Sequence, residues 1–493
     1  MLSWERCAGY TLISALTERG AFPQNFDSEA ESHLAPRVKM THIAGTNNRE
    51  FSEQFTKQPT DASGPPTDAI ECIELEGRTR ESLPMRWART LIPYGGLLST
   101  VLNLASATVG VGISALPTGF SLSGIVMSSI YLAVIAIATI YSLNLIAKVA
   151  EKTGASTYGE ASELLWGRRL SYYVAALMIV TCFGGAVAYV IVIGVLIRTA
   201  LNRPSVPEYL KSPRGNRLMT TIAWLVLIVP LVIPKRINTL RYASGVGMIL
   251  ILYFSICVVV HSVQQRDDKG ATNDVVHVKV GNAALEGLPL FLFSYICQPN
   301  AFAILKEMQQ CTTWRYTIYS TVGILTCTLL YFLVGVFGYL EFGSRITDSV
   351  LALYDPAENA MMGLAYICFI VKVCMAFALH LIPLRDALYH FAKMNVDSAS
   401  CLHHTFLMLF IATTALIFGL FIPKMNAVIG LVGSICAGQI GFILPALFYM
   451  YSGNFSLTKV GLLNYCGTYA LLLTGVLAVV FGAIATVYTT ATR

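Results

Sequence analysis

From Pro93 onward the sequence is a succession of apolar runs, each close to the twenty residues that a helix needs to cross a bilayer. They fall near 94–119, 123–147, 172–199, 218–234, 242–263, 285–306, 316–340, 360–383, 403–423, 426–451 and 463–488, eleven in all. A backbone inside hydrocarbon must satisfy its own amides and carbonyls, so runs of this length fold as helices. The expected fold class is an all-α membrane protein. Composition agrees: 13% of residues are charged, against roughly a quarter in soluble domains, and the mean hydropathy is +0.62.

The acidic residues are unevenly spread, with 13 of 28 before Pro93. Residues 1–92, rich in Ser, Thr, Pro, Gly and mixed charge, read as a cytoplasmic, mostly disordered tail. One patch in it, AIECIELE at 69–76, alternates enough for a strand or docking segment. Residues 93–490 form the transmembrane unit. No secretory signal precedes it, since charges interrupt the first nineteen residues and no long apolar core follows. With the tail inside, inner segments hold 22 of the 34 basic residues and outer ones 11, which orients the tail inside and the carboxyl terminus outside. Arg203, Lys211, Arg214 and Arg217 run against this trend. No basic run interleaved with aromatics points to nucleic acid. The cysteines show no paired spacing and read as small buried hydrophobes. No metal or cofactor is expected.

Two apolar runs are interrupted where interruption costs most. The first contains NLASATVGVGISALPTGF (103–120), with Gly110, Gly112 and Pro117 at its heart. Glycine tolerates unwound backbone and proline removes an amide donor. Paired glycines also serve simply to let helices pack closely, and the first span by itself leaves both readings open. GVGISA fits a loose dinucleotide fingerprint, but no strand–helix context surrounds it and no acid follows until Glu151. The sixth span, LPLFLFSYICQPNAFAILKEM (288–308), places Ser294, Gln298, Pro299 and Asn300 mid-membrane. Interrupted spans in corresponding positions of two halves point to a transporter binding site. Five crossings separate them, so the pattern is an inverted repeat of five plus five spans with an eleventh added.

At these residues the sequence resembles the amino acid/auxin permease family. GVGISALP (110–117), SYICQPNAFAILKEM (294–308), PKRINTLRYASGVG (234–247), HLIPLRDAL (380–388) and GLVGSICAGQIGFILPALFY (430–449) resemble its motifs in order, over roughly 95–488. The details are nearest the trypanosomatid-like branch, although many relatives carry His at the Gln298 position. The resemblance implies a leucine-transporter-like core and secondary active transport of amino acids. It also implies a substrate site between spans one and six, in the plasma membrane or an acidic, lysosome-like membrane.

An amino acid brings a carboxylate and an ammonium. Free amides at a half-helix amino terminus suit the carboxylate, which assigns Gly110, Val111, Gly112 and Ile113. Carbonyls ending the preceding half-helix suit the ammonium, with Ala107, Phe293 and Ser294 as candidates. Gln298 and Asn300 either meet the substrate or tie spans together. Lys372 is the lone lysine inside a span and a functional candidate for that reason. In related folds a sodium site lies between spans one and eight, so an ammonium there would replace the ion. The alternative is a structural lysine reaching a wet inner cavity. Cys374 stands where sodium-using relatives place a hydroxyl, which argues against sodium coupling, while proton, sodium and no coupling all stay open. Arg385 and Asp386 read as a gate or local pair. No Asp or Glu lies mid-span in spans one, three, six, eight or ten, although Glu286 near the outer end of span six could serve a cationic substrate. A sensor that binds an amino acid with little transport is the alternative function. A channel is disfavoured because no charge ring or Arg-rich voltage helix appears. An enzyme is disfavoured because no intramembrane His, Asp and Glu set has acid–base spacing.

Overall fold

In a computed structural model of the chain, residues 95–492 are described apart from 205, 234–239, 270–273, 280, 347–348, 357–358, 395–399, 423–424 and 454. The tail and its AIECIELE patch lie outside the described residues. No strand occurs among the described residues. The protein is an integral, multi-pass membrane protein built from helices. Among the described residues ten helices are long and apolar enough to cross a membrane, and a bent helix pair makes an eleventh crossing.

That bent pair is α1 (Leu97–Thr108) and α2 (Gly112–Ser123), which meet at 55°. Crossings two and three are α3 (Ile125–Thr153) and α5 (Arg168–Leu201), with the short α4 (Tyr158–Trp166) between them. Then come α6 (Pro213–Val232) and α7 (Leu240–Lys269). The sixth crossing is split into α8 (Leu288–Ser294) and α9 (Ala301–Glu307). Five more follow: α10 (Thr313–Phe342), α11 (Ala360–Phe391), α12 (Cys401–Phe421), α13 (Val428–Tyr451) and α14 (Leu462–Thr492). We call the side of Gly95 the near side and the other the far side.

The packing follows the repeat. α3 lies along α10, and α5 along α11, so the second and third crossings meet the seventh and eighth. The sixth crossing is the most enclosed, whereas α6, α12 and α14 turn most of their surface outward. Outward side chains such as Ile137, Leu325, Phe406 and Val487 are large and apolar. In lipid that exposure carries no hydrophobic penalty, and it marks the bilayer-facing surface. Cys182, Cys257, Cys327 and Cys436 are buried, as their apolar settings imply.

Local chemistry sets the helix ends. α2 and α3 are separated by Gly124 alone, at φ +82, and any Cβ there would meet the His277 carbonyl at 3.2 Å. The fourth crossing begins at Pro213, five residues before the 218 expected from hydropathy. Ser212 caps it by accepting the Gly215 amide, and Pro213 occupies the first turn, where its missing N–H costs nothing. α4 starts with a capping box: Thr157 Oγ1 accepts the Glu160 amide at 3.1 Å while Glu160 Oε2 accepts the Ser156 amide at 2.8 Å.

On the far side, Lys279 Nζ donates to the Ser121 carbonyl at 2.6 Å and the Gly287 amide to Ser123 Oγ at 3.0 Å. These bonds hold the entry to α8 against the end of α2. On the near side the Gln309 amide donates to the Gly95 carbonyl at 2.9 Å, which ties the start of α1 to the end of α9. At mid-depth the Tyr331 hydroxyl, on α10, lies 2.8 Å from the Thr108 carbonyl and 2.6 Å from the Ser294 carbonyl. These are the last carbonyls of α1 and α8, which no helical amide satisfies. Tyr331→Phe should therefore lower the thermal midpoint of the purified protein. A buried acceptor left unpaired costs about 1–3 kcal/mol. Tyr331→Phe should do so far more than Tyr319→Phe on the same helix, a phenol with no hydrogen bond to either carbonyl.

Candidate functional site

The first break is short. The Val109 amide still reaches the Ala105 carbonyl at 2.8 Å, but the Gly110 amide turns back to the Thr108 carbonyl at 2.9 Å. Helix resumes at Gly112, with the Ser114 amide and hydroxyl both on the Val111 carbonyl, at 3.1 and 2.7 Å. Gly112 and Ile113 open α2, and the first amides of a helix have no acceptor within it. The Val111 amide instead faces the Tyr189 hydroxyl of α5. Of the four residues expected to offer amides, Gly110 is thus bonded within the chain and Val111 meets a phenol.

Both glycines are points of close approach. A Cβ on Gly110 would lie 2.0 Å from the Tyr189 hydroxyl oxygen. A Cβ on Gly112 would lie 2.8 Å from Ser294 Cα. Only glycine lets the phenol cross one half-helix end and lets α2 rest on the end of α8. The contacts of the pair bear out close packing of the helix ends.

In the sixth crossing α8 stops at Ser294 and helix resumes as a 3₁₀ turn over Gln298–Asn300 leading into α9. The Phe293 carbonyl accepts the Ile296 amide at 3.1 Å, and Ser294 Oγ donates back to the Leu290 carbonyl at 2.7 Å. The Phe293, Ser294 and Thr108 carbonyls thus already hold partners, while a carbonyl oxygen keeps a second lone pair for a ligand. Ala107 sits at the same end of α1 and is half-buried. Gln298 Oε1 accepts the Cys297 amide at 3.1 Å, and its amide end lies against Gly441 of α13. The Asn300 side chain has no hydrogen bond among the described residues.

α13 itself is loosened here into π turns at Val432–Ala437 and Gln439–Ile443. Such turns release carbonyls from the regular ladder. The Ser142 hydroxyl of α3 donates to the Gly441 carbonyl, and the Tyr158 hydroxyl of α4 to the Ile440 carbonyl at 3.1 Å. Burial pushes the Tyr158 phenol pKa well above its ordinary value, so it remains a neutral donor. Its ring packs against Phe302 of α9 and Phe448 of α13.

Lys372 is fully enclosed on α11. Its Nζ donates to the Ser106 carbonyl at 3.0 Å and to Ser106 Oγ at 2.7 Å, near the carboxyl end of α1. Gly247 of α7 makes room: a Cβ there would lie 3.1 Å from Lys372 Cδ. One turn toward the near side, Asn103 Oδ1 of α1 and Ser244 Oγ of α7 are buried with no hydrogen-bond partner among the described residues. The lysine thus joins crossings one, five and eight. No group of His, Cys, Asp and Glu able to hold a metal occurs among the described residues.

Sequence reasoning missed Tyr189 and His380. The His380 ring lies 5.6 Å from the Tyr189 ring, and its Nε2 sits over Gly185, where a Cβ would be 2.2 Å away. That nitrogen is buried with no partner among the described residues. HLIPL, quoted for its resemblance, contained the signal, since an ionisable side chain inside an apolar span is a candidate functional group. Arg385 and Asp386 pair with each other, Nη2 to Oδ1 at 2.8 Å. They lie beside a near-side vestibule of about 270 Å³ lined by Glu160, Glu163, Arg168, Asp386, His390 and Lys393. A smaller cavity of about 30 Å³ continues inward from it, past Pro383 and Ile382 to Met178 and Pro299.

Comparison with known proteins decides the family. Residues 94–491 match the family model described as transmembrane amino acid transporter protein. The chain belongs to this family. It is 28% identical over 367 residues to vacuolar amino acid transporter 5 of Schizosaccharomyces pombe, covering 73% of this chain and 86% of that protein. It is 27% identical over 310 residues to vacuolar amino acid transporter 6 of Saccharomyces cerevisiae, covering 61% of this chain and 68% of that one. The crystal structure of MhsT in complex with L-phenylalanine superposes with a TM-score of 0.58 at 13% identity, over 80% of this chain and 99% of that one, a likeness of fold.

The Gly110–Tyr189 contact is directly testable. Gly110→Ala should lower the thermal midpoint sharply, because the new methyl overlaps the phenol oxygen. Adding Tyr189→Phe should recover part of the loss, since it removes the oxygen at 2.0 Å and leaves a tight ring-carbon contact at 3.0 Å from that Cβ. Additive losses in the double variant would show that the two residues do not touch.

Proposed function

We propose that the protein is a secondary transporter that carries an amino acid across the membrane by alternating access, with the substrate held at the paired breaks of crossings one and six. The α-carboxylate meets the free amides that open α2 at Gly112 and Ile113, together with the Tyr189 hydroxyl. The positive end of a helix and aimed donors suit that charge. The α-ammonium meets the carbonyl ends of α1 and α8, at Ala107, Phe293 and Ser294. The near side is the cytoplasmic side, and the vestibule beside Asp386 and His390 is the inner route. The names of the fungal relatives favour the membrane of a vacuole or another acidic compartment.

The observation that carries the coupling part is the pair of bonds from Lys372 Nζ to Ser106. An ammonium at the carboxyl end of α1 supplies a fixed positive charge between crossings one and eight, in place of a bound sodium ion. A lysine, unlike arginine, can also give up its proton. Release would turn the charged bonds to Ser106 into weaker neutral ones and loosen α1 from α11, which links protonation to the movement of the first half-helix. The unpartnered Asn103 and Ser244 oxygens one turn nearer the cytoplasm give that proton polar stepping points.

Uptake of a panel of labelled amino acids into vesicles, at several pH values and with or without sodium, tests the proposal. Replacing sodium with a large inert cation should leave transport nearly unchanged, while an acidic donor side should raise it. Lys372→Ala removes hydrogen bonds from a charged donor, each worth about 1.5–3 kcal/mol. Transport should fall more than tenfold while the protein still reaches the membrane. Lys372→Arg should also fail, because it keeps the charge and cannot cycle its proton. Steep sodium dependence, or full activity in Lys372→Ala, would discard the coupling role and leave a structural lysine.

A further inference from the structure

Away from the two breaks, the near-side ends of α3, α13 and α14 bring together an unusual group. Lys148 and Lys152, one helical turn apart on α3, both place their ammonium groups on the Tyr449 ring of α13, at 5.4 and 4.8 Å from its centre. Lys148 Nζ donates to Asn464 Oδ1 of α14 at 3.0 Å, and Lys152 Nζ to Ser452 Oγ at 3.3 Å. Among the described residues neither lysine has a carboxylate partner. Glu151, next in sequence, turns instead to the Thr313 hydroxyl on α10.

Like charges at this spacing repel, and a tyrosine face offsets that only partly. Each ammonium has three donors and spends one on a neutral oxygen. Two positive charges with donors to spare therefore converge without a counter-charge from the protein. A phosphate group, with several acceptor oxygens, would satisfy both at once.

The surroundings point to the source of that phosphate. Leu462 and Leu463, which immediately precede Asn464, are 65% and 89% exposed, and Leu457 is 48% exposed. Phe455, Tyr465 and Tyr469 cluster beside Tyr449, ring to ring at 5.0–5.9 Å and mostly edge-on. Exposed leucines suit acyl chains, and aromatic clusters of this kind gather at headgroup depth. Basic pockets between transmembrane helices on the cytoplasmic side bind anionic headgroups. We infer that the near-side ends of α3, α13 and α14 form a binding site for the phosphate headgroup of an anionic phospholipid, with Lys148 and Lys152 as its ligands. Such a lipid would pin crossing two to crossings ten and eleven, at the edge of the loosened part of α13.

The test uses the full chain, purified in detergent and stripped of lipid. Thermal unfolding is followed while dioctanoyl phosphatidylinositol 4-phosphate, dioctanoyl phosphatidylcholine or inorganic phosphate is added. The anionic lipid should raise the midpoint, and the other two should not. The lipid concentration for half the effect should rise about fivefold for each lysine removed, the factor that about 1 kcal/mol per charge gives. Lys152→Gln, at an exposed position, tests this without risk to folding, and Lys148→Gln/Lys152→Gln tests the pair. An equal shift with inorganic phosphate would make this a site for soluble anions and overturn the lipid assignment. No shift, or unchanged dose dependence in Lys152→Gln and the double variant, would overturn the site itself.

Discussion

Two half-helices ending in mid-membrane leave carbonyls that water cannot reach, and in this protein one phenol answers both ends. The Tyr331 hydroxyl lies within hydrogen-bonding distance of the Thr108 and Ser294 carbonyls, the last of α1 and of α8. One hydroxyl proton cannot serve two acceptors fully, so the pair shares it and retains acceptor capacity. α10, which carries that phenol, packs against both halves of the first crossing. An unpaired carbonyl in hydrocarbon costs several kcal/mol, so the breaks persist only because such partners exist.

Around that centre, close backbone approach is used in place of large side chains. Gly112 lets α2 settle on the end of α8, Gly110 admits the Tyr189 hydroxyl, and Gly433 brings α13 against the Pro289 carbonyl. Of these contacts, the one between Gly112 and Ser294 joins the two repeats. Lys372 adds the electrostatic counterpart, a charge from the eighth crossing placed on the carboxyl end of α1. Under the proposed function, the residues that hold the broken helices in place would also meet the ligand's charges, and binding would be linked to movement of α1 through shared hydrogen bonds.

Much of this was legible from the chain. Gly110, Gly112, Pro117 and Pro299 interrupt runs that are otherwise uniformly apolar, and an interruption is visible wherever hydropathy is visible. Lys372 stands out for the same reason. Tyr331 and Tyr189 do not, because a tyrosine in an apolar span is hard to tell apart among the chain's 24 tyrosines. Their roles arise from the meeting of positions 108, 294 and 331, and of 110 and 189, which depends on tertiary packing alone. The π turns of α13 are hidden likewise, since they answer to contacts with α3, α4 and α8. The start of α6 and the existence of α4 were different. Ser212-Pro213 and the Thr157–Glu160 capping box were both present as local signals, but a hydropathy window passes over polar starts.

The central claim is that the paired breaks receive an amino acid, and a cryo-electron-microscopy structure of the full chain with a transported amino acid bound tests it most directly. The account predicts ligand density between the first break and the end of α8. Its carboxylate should lie about 3 Å from the Gly112 and Ile113 amides and the Tyr189 hydroxyl. Its ammonium should face the carbonyl ends of α1 and α8. Density confined to the vestibule beside Asp386 and His390, with the breaks still closed on their own protein contacts, would contradict it.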